Sequence, residues 1–235
     1  MNRFAEIANG RESWSANQNL PRHGHREAYA AIVLSGGYEE CGSRGRFRVG
    51  AGDVLLHAAF DAHLNRFWPN GAQVLNLVLA ERTSDFSIAQ IFDPDTIARA
   101  AERDPAEARA RFREQLRAKQ CAPVDWPDTL ASDLLADPNC RLRSWAENHG
   151  LAAETISRGF RKVFGVTPAL FRAEARARKA FARVIDSDAP LALIAAAAGF
   201  ADQAHMSRAT RALTGSPPCV WRGSIRFKTA VASAR

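Results

Sequence analysis

One helical pattern is written twice between Leu142 and Arg222 of this 235-residue chain, and no other feature constrains the fold as strongly. The first copy reads LRSWAENHGLAAETISRGFRKVFGVTP, from Leu142 to Pro168; the second reads PLALIAAAAGFADQAHMSRATRALTGSPP, from Pro190 to Pro218. Each copy has a short apolar helix, a turn at a glycine (Gly150, Gly199), and a second helix. Each then ends in a glycine and proline stop, Gly165 and Pro168 in one, Gly215 and Pro217 in the other. The triplet Ile156-Ser157-Arg158 recurs as Met206-Ser207-Arg208. Its apolar member is expected to face the partner helix and its Ser-Arg pair to turn outward. That is the helix-turn-helix layout, whose second helix can enter the major groove of DNA.

The spacing separates residues that hold from residues that can read. Ile156, Phe160 and Phe164 fall at i, i+4 and i+8 and are core positions. The complementary face carries Glu154, Thr155, Ser157, Arg158, Arg161 and Lys162. In the second copy Met206 and Leu213 are core, while Gln203, His205, Ser207, Arg208 and Arg211 face outward, with Ala204 among them. An arginine can pair guanine O6/N7, a glutamate can accept from cytosine N4, and glutamine suits adenine. Phosphate contact without readout is the plainer role for the arginines. A connecting helix is expected from Pro168, at an N1-like position, to about Asp186. About 18 residues at 1.5 Å each span roughly 27 Å, against about 34 Å between successive major-groove faces. Its basic residues 172, 176, 178, 179 and 183 interleave with apolar ones and can face phosphate.

Two tandem copies joined by a long helix resemble the DNA-binding domain of AraC/XylS-family transcription regulators, over about Pro127 to Arg226. The resemblance rests on Ala198-Gly199-Phe200, on Ser207-Arg208, and on Thr214-Gly215-Ser216-Pro217 ahead of Trp221-Arg222. It implies double-stranded DNA and RNA polymerase as partners, activation of transcription, and a cytoplasmic location. It also implies base reading from Glu154, Ser157, Arg158, Gln203, Ala204 and Arg208. Two positions depart from the family pattern. Ala152 and Ala153 stand where a capping Ser or Thr is usual, and Thr210 stands where the first copy has Phe160.

Charge divides the chain in the same place. Residues 1–138 hold 16 Lys+Arg and 19 Asp+Glu, a balance of −3; residues 139–235 hold 16 and 6, a balance of +10. The basic half suits a polyanionic partner.

The region from Pro21 to Leu79 reads as short strands broken by glycine: 29–34, 46–49, 54–57 and 73–79. Such a series suggests a sandwich or small barrel. With Pro21-Arg22-His23-Gly24-His25, Val33-Leu34-Ser35-Gly36, Gly52-Asp53-Val54-Leu55-Leu56 and His63, it resembles the cupin-like sensor domain that precedes the AraC DNA-binding domain. The resemblance implies an effector pocket at His23, His25, Tyr29 and His63. Tyr29 takes the place of the glutamate found in metal-binding cupins, and Glu27 lies two residues earlier. His23 and His25 share a strand face, and neutral imidazoles suit Zn, Cu, Fe or Ni. A divalent metal on His23, His25 and His63, an unknown small-molecule effector, or histidines with only a structural role are the alternatives, with His57 as a further ligand candidate.

Residues 1–20 read as a loosely held arm. Asp95 or Thr96 is expected to cap a helix, and residues 106–119 to form an amphipathic one. The latter either pairs two protomers in a homodimer, as the resemblance implies, or packs within the chain. Ala122 to Pro127 is a short proline-bearing linker. The four cysteines are scattered, which fits free thiols in a reducing compartment. No apolar run is long enough for a transmembrane helix, and the first residues show no signal-peptide pattern.

The expected architecture is α+β in two domains. A cupin-like sensor domain spans 1–91, and a helical linker or dimerisation segment spans 92–126. A double helix-turn-helix domain spans 127–228 and a tail 229–235. No nucleophile elbow, Walker loop or HExxH is present. The reading is therefore an effector-responsive regulator and not an enzyme. The alternative is a cupin-type metal-dependent enzyme with an accessory helical domain.

Overall fold

A computed structural model describes residues 4–79, 86–137 and 140–222. It divides into two compact units, residues 1–129 with 162–165, and residues 130–161 with 166–235.

Among the described residues, the first unit is built on one nine-stranded sheet. Its strands are β1 (Phe4–Ala5), β2 (Gly10–Trp14), β3 (Asn19–His25), β4 (Tyr29–Gly42), β5 (Gly45–Gly50), β6 (Asp53–His57), β7 (Ala62–Val78), β8 (Ile88–Gln90) and β9 (Arg117–Ala118). The antiparallel ribbon of β4 and β7 is its spine. β4 pairs β7 from Tyr29↔Val78 to Gly42↔His63, with register shifts between Val33 and Ser35 and between Gly36 and Tyr38. Gly36 sits at the bend with φ +69, where a Cβ would lie 2.0 Å from the carbonyl oxygen of Gly71. Only glycine admits that close approach in a left-handed conformation.

Alternation along β4 builds two cores. Tyr29, Ala31, Val33 and Tyr38 join Val49, Leu55, Phe67 and Val74 on one face. Ala30 and Ile32 join Val54, Leu75 and Leu77 on the other, under Ile97, Ala98, Ala108 and Phe112. Those last four belong to helices α1 (Pro94–Ala101) and α2 (Pro105–Gln115).

Several expectations change here. Residues 10–14 are not a loose arm: β2 pairs β7 from Gly10↔Asn76 to Trp14↔Ala72, and Trp14 stacks on Phe67 with centroids 5.2 Å apart, while residues 1–3 lie outside the described residues. The cap of α1 is Asp93, not Asp95 or Thr96; its carboxylate accepts from the Thr96 amide at 2.9 Å. Asp93 reaches the amide three residues on, which an N-cap at Asp95 would leave unmet. Helix α2 stops at Gln115, and Ala118 lies in β9 against β8. The apolar face of α2 is spent inside the first unit through Ala108 and Phe112. Among the described residues no helix is long and apolar enough to cross a membrane.

The second unit is helical: α3 (Trp126–Ala136, most of it), α4 (Leu142–Asn148), α5 (Ala153–Phe164), α6 (Pro168–Asp186), α7 (Leu191–Ala197) and α8 (Gln203–Thr214). Pro168 opens α6 as its spacing predicts, and the Thr167 hydroxyl caps it by accepting from the Leu170 amide. Ala180 and Val184 of α6 pack with Ile194, Ala195, Ala198, Phe200 and Met206. Nearer its start, Phe171 meets Phe160 of α5 edge to face at 5.3 Å. Three half-buried arginines also tie elements together. Arg172 donates to the Cys140 carbonyl, Arg176 to the Gly199 carbonyl and Arg222 to the Ala189 carbonyl. Arg172 and Arg176 therefore spend hydrogen bonds inside the unit, while Lys179 and Arg183 stay exposed.

Phe112 is fully buried between α2 and the sheet. Phe112→Ala should lower stability by about 3–5 kcal/mol in urea denaturation, through lost apolar burial and the cavity left behind. A loss below about 1 kcal/mol would show that α2 is not packed on this face.

Candidate nucleic-acid interface and histidine pocket

Helix α5 buries Ile156, Phe160 and Phe164 and leaves Glu154, Thr155, Ser157, Arg158, Arg161 and Lys162 exposed. Helix α8 buries Met206, Thr210 and Leu213. Gln203, Ala204, His205, Arg208 and Arg211 are exposed and Ser207 is half-buried. The two outward faces present four arginines and one lysine against one carboxylate, Glu154. Such a surface suits phosphates and guanine edges. Of the outer groups, His205 leans on the Phe200 ring edge to face at 5.1 Å, so part of its surface serves packing. His149 stacks on Trp145 with centroids 3.7 Å apart and has its Nδ1 2.8 Å from the Trp145 carbonyl, a structural role.

The two copies differ at both places where the sequence departs from the family pattern. The Asp202 carboxylate caps α8, accepting from the His205 amide at 2.6 Å. Helix α5 is preceded by Ala152, which has no oxygen to offer. Thr210, in the place of Phe160, is fully buried, and its hydroxyl has no hydrogen-bond partner among the described residues. Near by, the Thr214 hydroxyl takes over as a hub. It donates within the end of α8 and accepts from the Trp221 indole at 2.8 Å and from the Ser216 amide.

Residues 145–224 match the family model described as a helix-turn-helix domain. These residues form an AraC-type helix-turn-helix domain. No curated protein matches the chain. Solved structures similar to it include ToxT from Vibrio cholerae, 9% identical over 93% of this chain and 97% of that one, with a TM-score of 0.43. Others are the C-terminal domain of AraT, a response regulator from Geobacillus stearothermophilus (19% identity, 45% of this chain, 88% of that one, TM-score 0.40), and the C-terminal domain of the two-component response regulator yesN from Fusobacterium nucleatum (20%, 40%, 94%, 0.37). The match supports DNA binding in transcription regulation for this part of the chain.

In the first unit, the sheet brings His23, His25, Tyr29 and His63 onto one face. Register explains it: His23 pairs His63 across β3 and β7, and Tyr29 pairs His57 across β4 and β6. Ring centroids are 4.4 Å apart for His23 and His63, 5.3 Å for His23 and His25, and 5.1 Å for His25 and Tyr29. His57 stacks on Tyr29 at 4.4 Å and lies 4.7 Å from His63. Gly42 makes room, since a Cβ there would come within 2.8 Å of the His63 Cβ.

Glu27 does not join the cluster; its carboxylate accepts from the Ile7 amide. The acidic member is Glu40, which sequence reasoning missed. It is 5% exposed, accepts from the Asn65 amide nitrogen at 3.0 Å, and has Oε2 3.7 Å from His57 Nε2. A signal existed in Tyr38-Glu39-Glu40-Cys41-Gly42. Once β4 is continued past Leu34, Tyr38, Glu40 and Gly42 alternate onto the histidine face. Burial pushes the Glu40 carboxyl up to about 8, opposed by the Asn65 hydrogen bond. Burial also depresses the imidazoles: His57 falls to about 3, His63 goes well below the usual histidine range, and His25 is lowered, helped by His23. Near neutral pH these rings are uncharged and their lone pairs are available. The neighbouring Cys41 thiol is buried, and that burial pushes it up to about 12, which keeps it protonated near neutral pH.

The difference in capping gives a paired test. Asp202→Ala should destabilise the second unit by about 0.5–2 kcal/mol, and Ala152→Ser should stabilise it by a similar or smaller amount. Urea melts of the two variants check both signs; equal and opposite signs to these would refute the assignment of the helix starts.

Proposed function

We propose that the chain reads two adjacent major-groove segments of double-stranded DNA, one with α5 and one with α8, and that a guest in the histidine pocket sets its affinity. The observation carrying the DNA part is that the repeated Ser-Arg pair keeps its Arg exposed in both copies while Ile156 and Met206 are buried. The spacer supports two-groove reading. Helix α6 has 19 residues, about 28 Å at 1.5 Å per residue, comparable with the roughly 34 Å between successive groove faces. Arg158 and Arg208 would pair guanine edges, with Glu154 and Gln203 as neighbouring readers. Arg161, Lys162 and Arg211 would neutralise phosphate, so affinity should fall steeply with salt.

The effector part rests on His23, His25, Tyr29 and His63 sharing one partly open face with four imidazole rings within reach of one another. Either a small organic molecule hydrogen-bonded by these groups or a divalent cation ligated by His23, His25 and His63 suits the donor set. Their ligand atoms lie within 4.8 Å of one another. The change in affinity would pass to RNA polymerase recruitment at the promoter.

On a site selected from genomic fragments, Arg158→Ala and Arg208→Ala should each weaken binding by about 1–3 kcal/mol and relax preference in a different half of the site. Fluorescence anisotropy with half-site mutants reads both effects. Unchanged affinity in both variants, with the fold retained, would remove these arginines from the interface.

A further inference from the structure

We infer that Glu40, His57 and His63 form a binding site for a single divalent transition-metal cation in the interior of the first unit. This names a ligand class for the pocket proposed above and a different set of ligands. The acidic ligand comes from the far half of β4, not from the strand position next to the His23 and His25 pair. Only His63 is common to both sets.

Four observations converge on this triad. First, one ligand atom from each residue lies within 4.8 Å of the other two, and all three residues are buried. A tetrahedral ion with bonds of about 2.0–2.1 Å sets its ligands roughly 3.4 Å apart, so small side-chain rotations close the shell. Second, His57 Nε2 and His63 Nδ1 are buried with no hydrogen-bond partner among the described residues. Buried polar atoms in folded proteins are rarely left so, and an ion, a water or a ligand is the common explanation. Third, the supporting groups are in place. Asn65 orients the Glu40 carboxylate from the side, and Tyr29 stacks on His57 with an interplanar angle of 13°, fixing its ring. Fourth, a cleft lined by Glu40, His57, His63 and Asp61 has room for about one water-sized guest.

The outer pair is a poorer seat. His23 and His25 are half-exposed, so an ion held there would stay open to water, whereas the inner triad is buried. Beside the triad, the Asp61 carboxylate is anchored through Oδ2, which accepts from Arg44 Nε and from the Ala58 amide at 2.9 Å each. Two neutral imidazoles and one carboxylate with an open fourth position suit Zn(II) and Co(II). A cation would also supply the positive charge that the buried Glu40 lacks.

The test uses the full chain, stripped with chelator and titrated with Co(II) under anaerobic conditions, read by visible absorption and calorimetry. One equivalent of Co(II) should bind with the intense visible bands of a four-coordinate site. Glu40→Gln and His57→Ala should each weaken binding by at least about tenfold, while His23→Ala should change it less than threefold. His57→Cys guards against loss of fold. It should keep binding and add a sulfur-to-cobalt charge-transfer band in the near ultraviolet, which the wild type, despite Cys41, should lack. Absence of Co(II) and Zn(II) binding in the folded wild type overturns the inference. So does loss of binding in His23→Ala with retention in Glu40→Gln, which would place the ion on the outer pair. Metal bound at Glu40 with no change in DNA affinity would leave this site standing and remove the effector role.

Discussion

The apolar stripe along α6 is the contact on which the DNA-binding unit depends. Neither hairpin of short helices can bury enough surface alone; α4 and α7 are seven residues each, well below the length at which isolated helices persist in water. Phe171 near the start of α6 closes the first hairpin against Phe160, and Ala180 and Val184 near its end close the second. Each fully buried large apolar side chain contributes roughly 1.5–3 kcal/mol. The same burial fixes the helix faces: with Ile156 and Met206 inward, Arg158 and Arg208 can only face outward. Stability and DNA recognition are thus set by one pattern, read from opposite sides of each helix.

The first unit makes a different use of alternation. Its sheet buries apolar residues on both faces, yet one face also carries four histidines, Glu40 and Asn65. A core of this kind is costly, because His25 Nδ1, His57 Nε2, His63 Nδ1 and Asn65 Oδ1 are buried without partners among the described residues. Leaving one such group unmet costs about 1–3 kcal/mol. Apolar residues would fill the same space more stably, and the proposed cation would give these groups the partners they lack. The depressed imidazoles and the elevated carboxyl are two consequences of one cause, withdrawal of all these groups from water.

The helical half was legible because its signals are local. The i, i+4, i+8 apolar spacing in α5, Pro168 at the start of α6, and the glycine turns at Gly150 and Gly199 are each stated within a few residues of where they act. The sheet half was legible only in outline. Short strands and the His23, His25, His63 grouping could be found, but the full reach of β4 and β7 could not. A 17-residue strand such as β7 contains Pro69, Asn70 and Gly71, which read locally as a turn. Residues 68–71 pair with none of β2, β3 and β4, and Gly71 has φ +67, so the turn is realised as a bulge within a strand that resumes at Ala72. Glu40 was missed for this reason: its role depends on Asn65 and His57, 25 and 17 residues away. Glu27 looked better placed from sequence, yet a single backbone amide, that of Ile7, holds it elsewhere. Arg172 and Arg176 read as phosphate contacts for a similar reason; the carbonyls they serve are 32 and 23 residues distant.

The proposed arrangement has one helical unit place two readers on the same side of a duplex. Hydroxyl-radical footprinting of the full chain on its selected site tests this most directly. The account predicts two protected tracts on one face of the DNA, about one helical turn (10–10.5 bp) apart, both lost together at high salt. A single protected tract, or two tracts on opposite faces of the duplex, would contradict it.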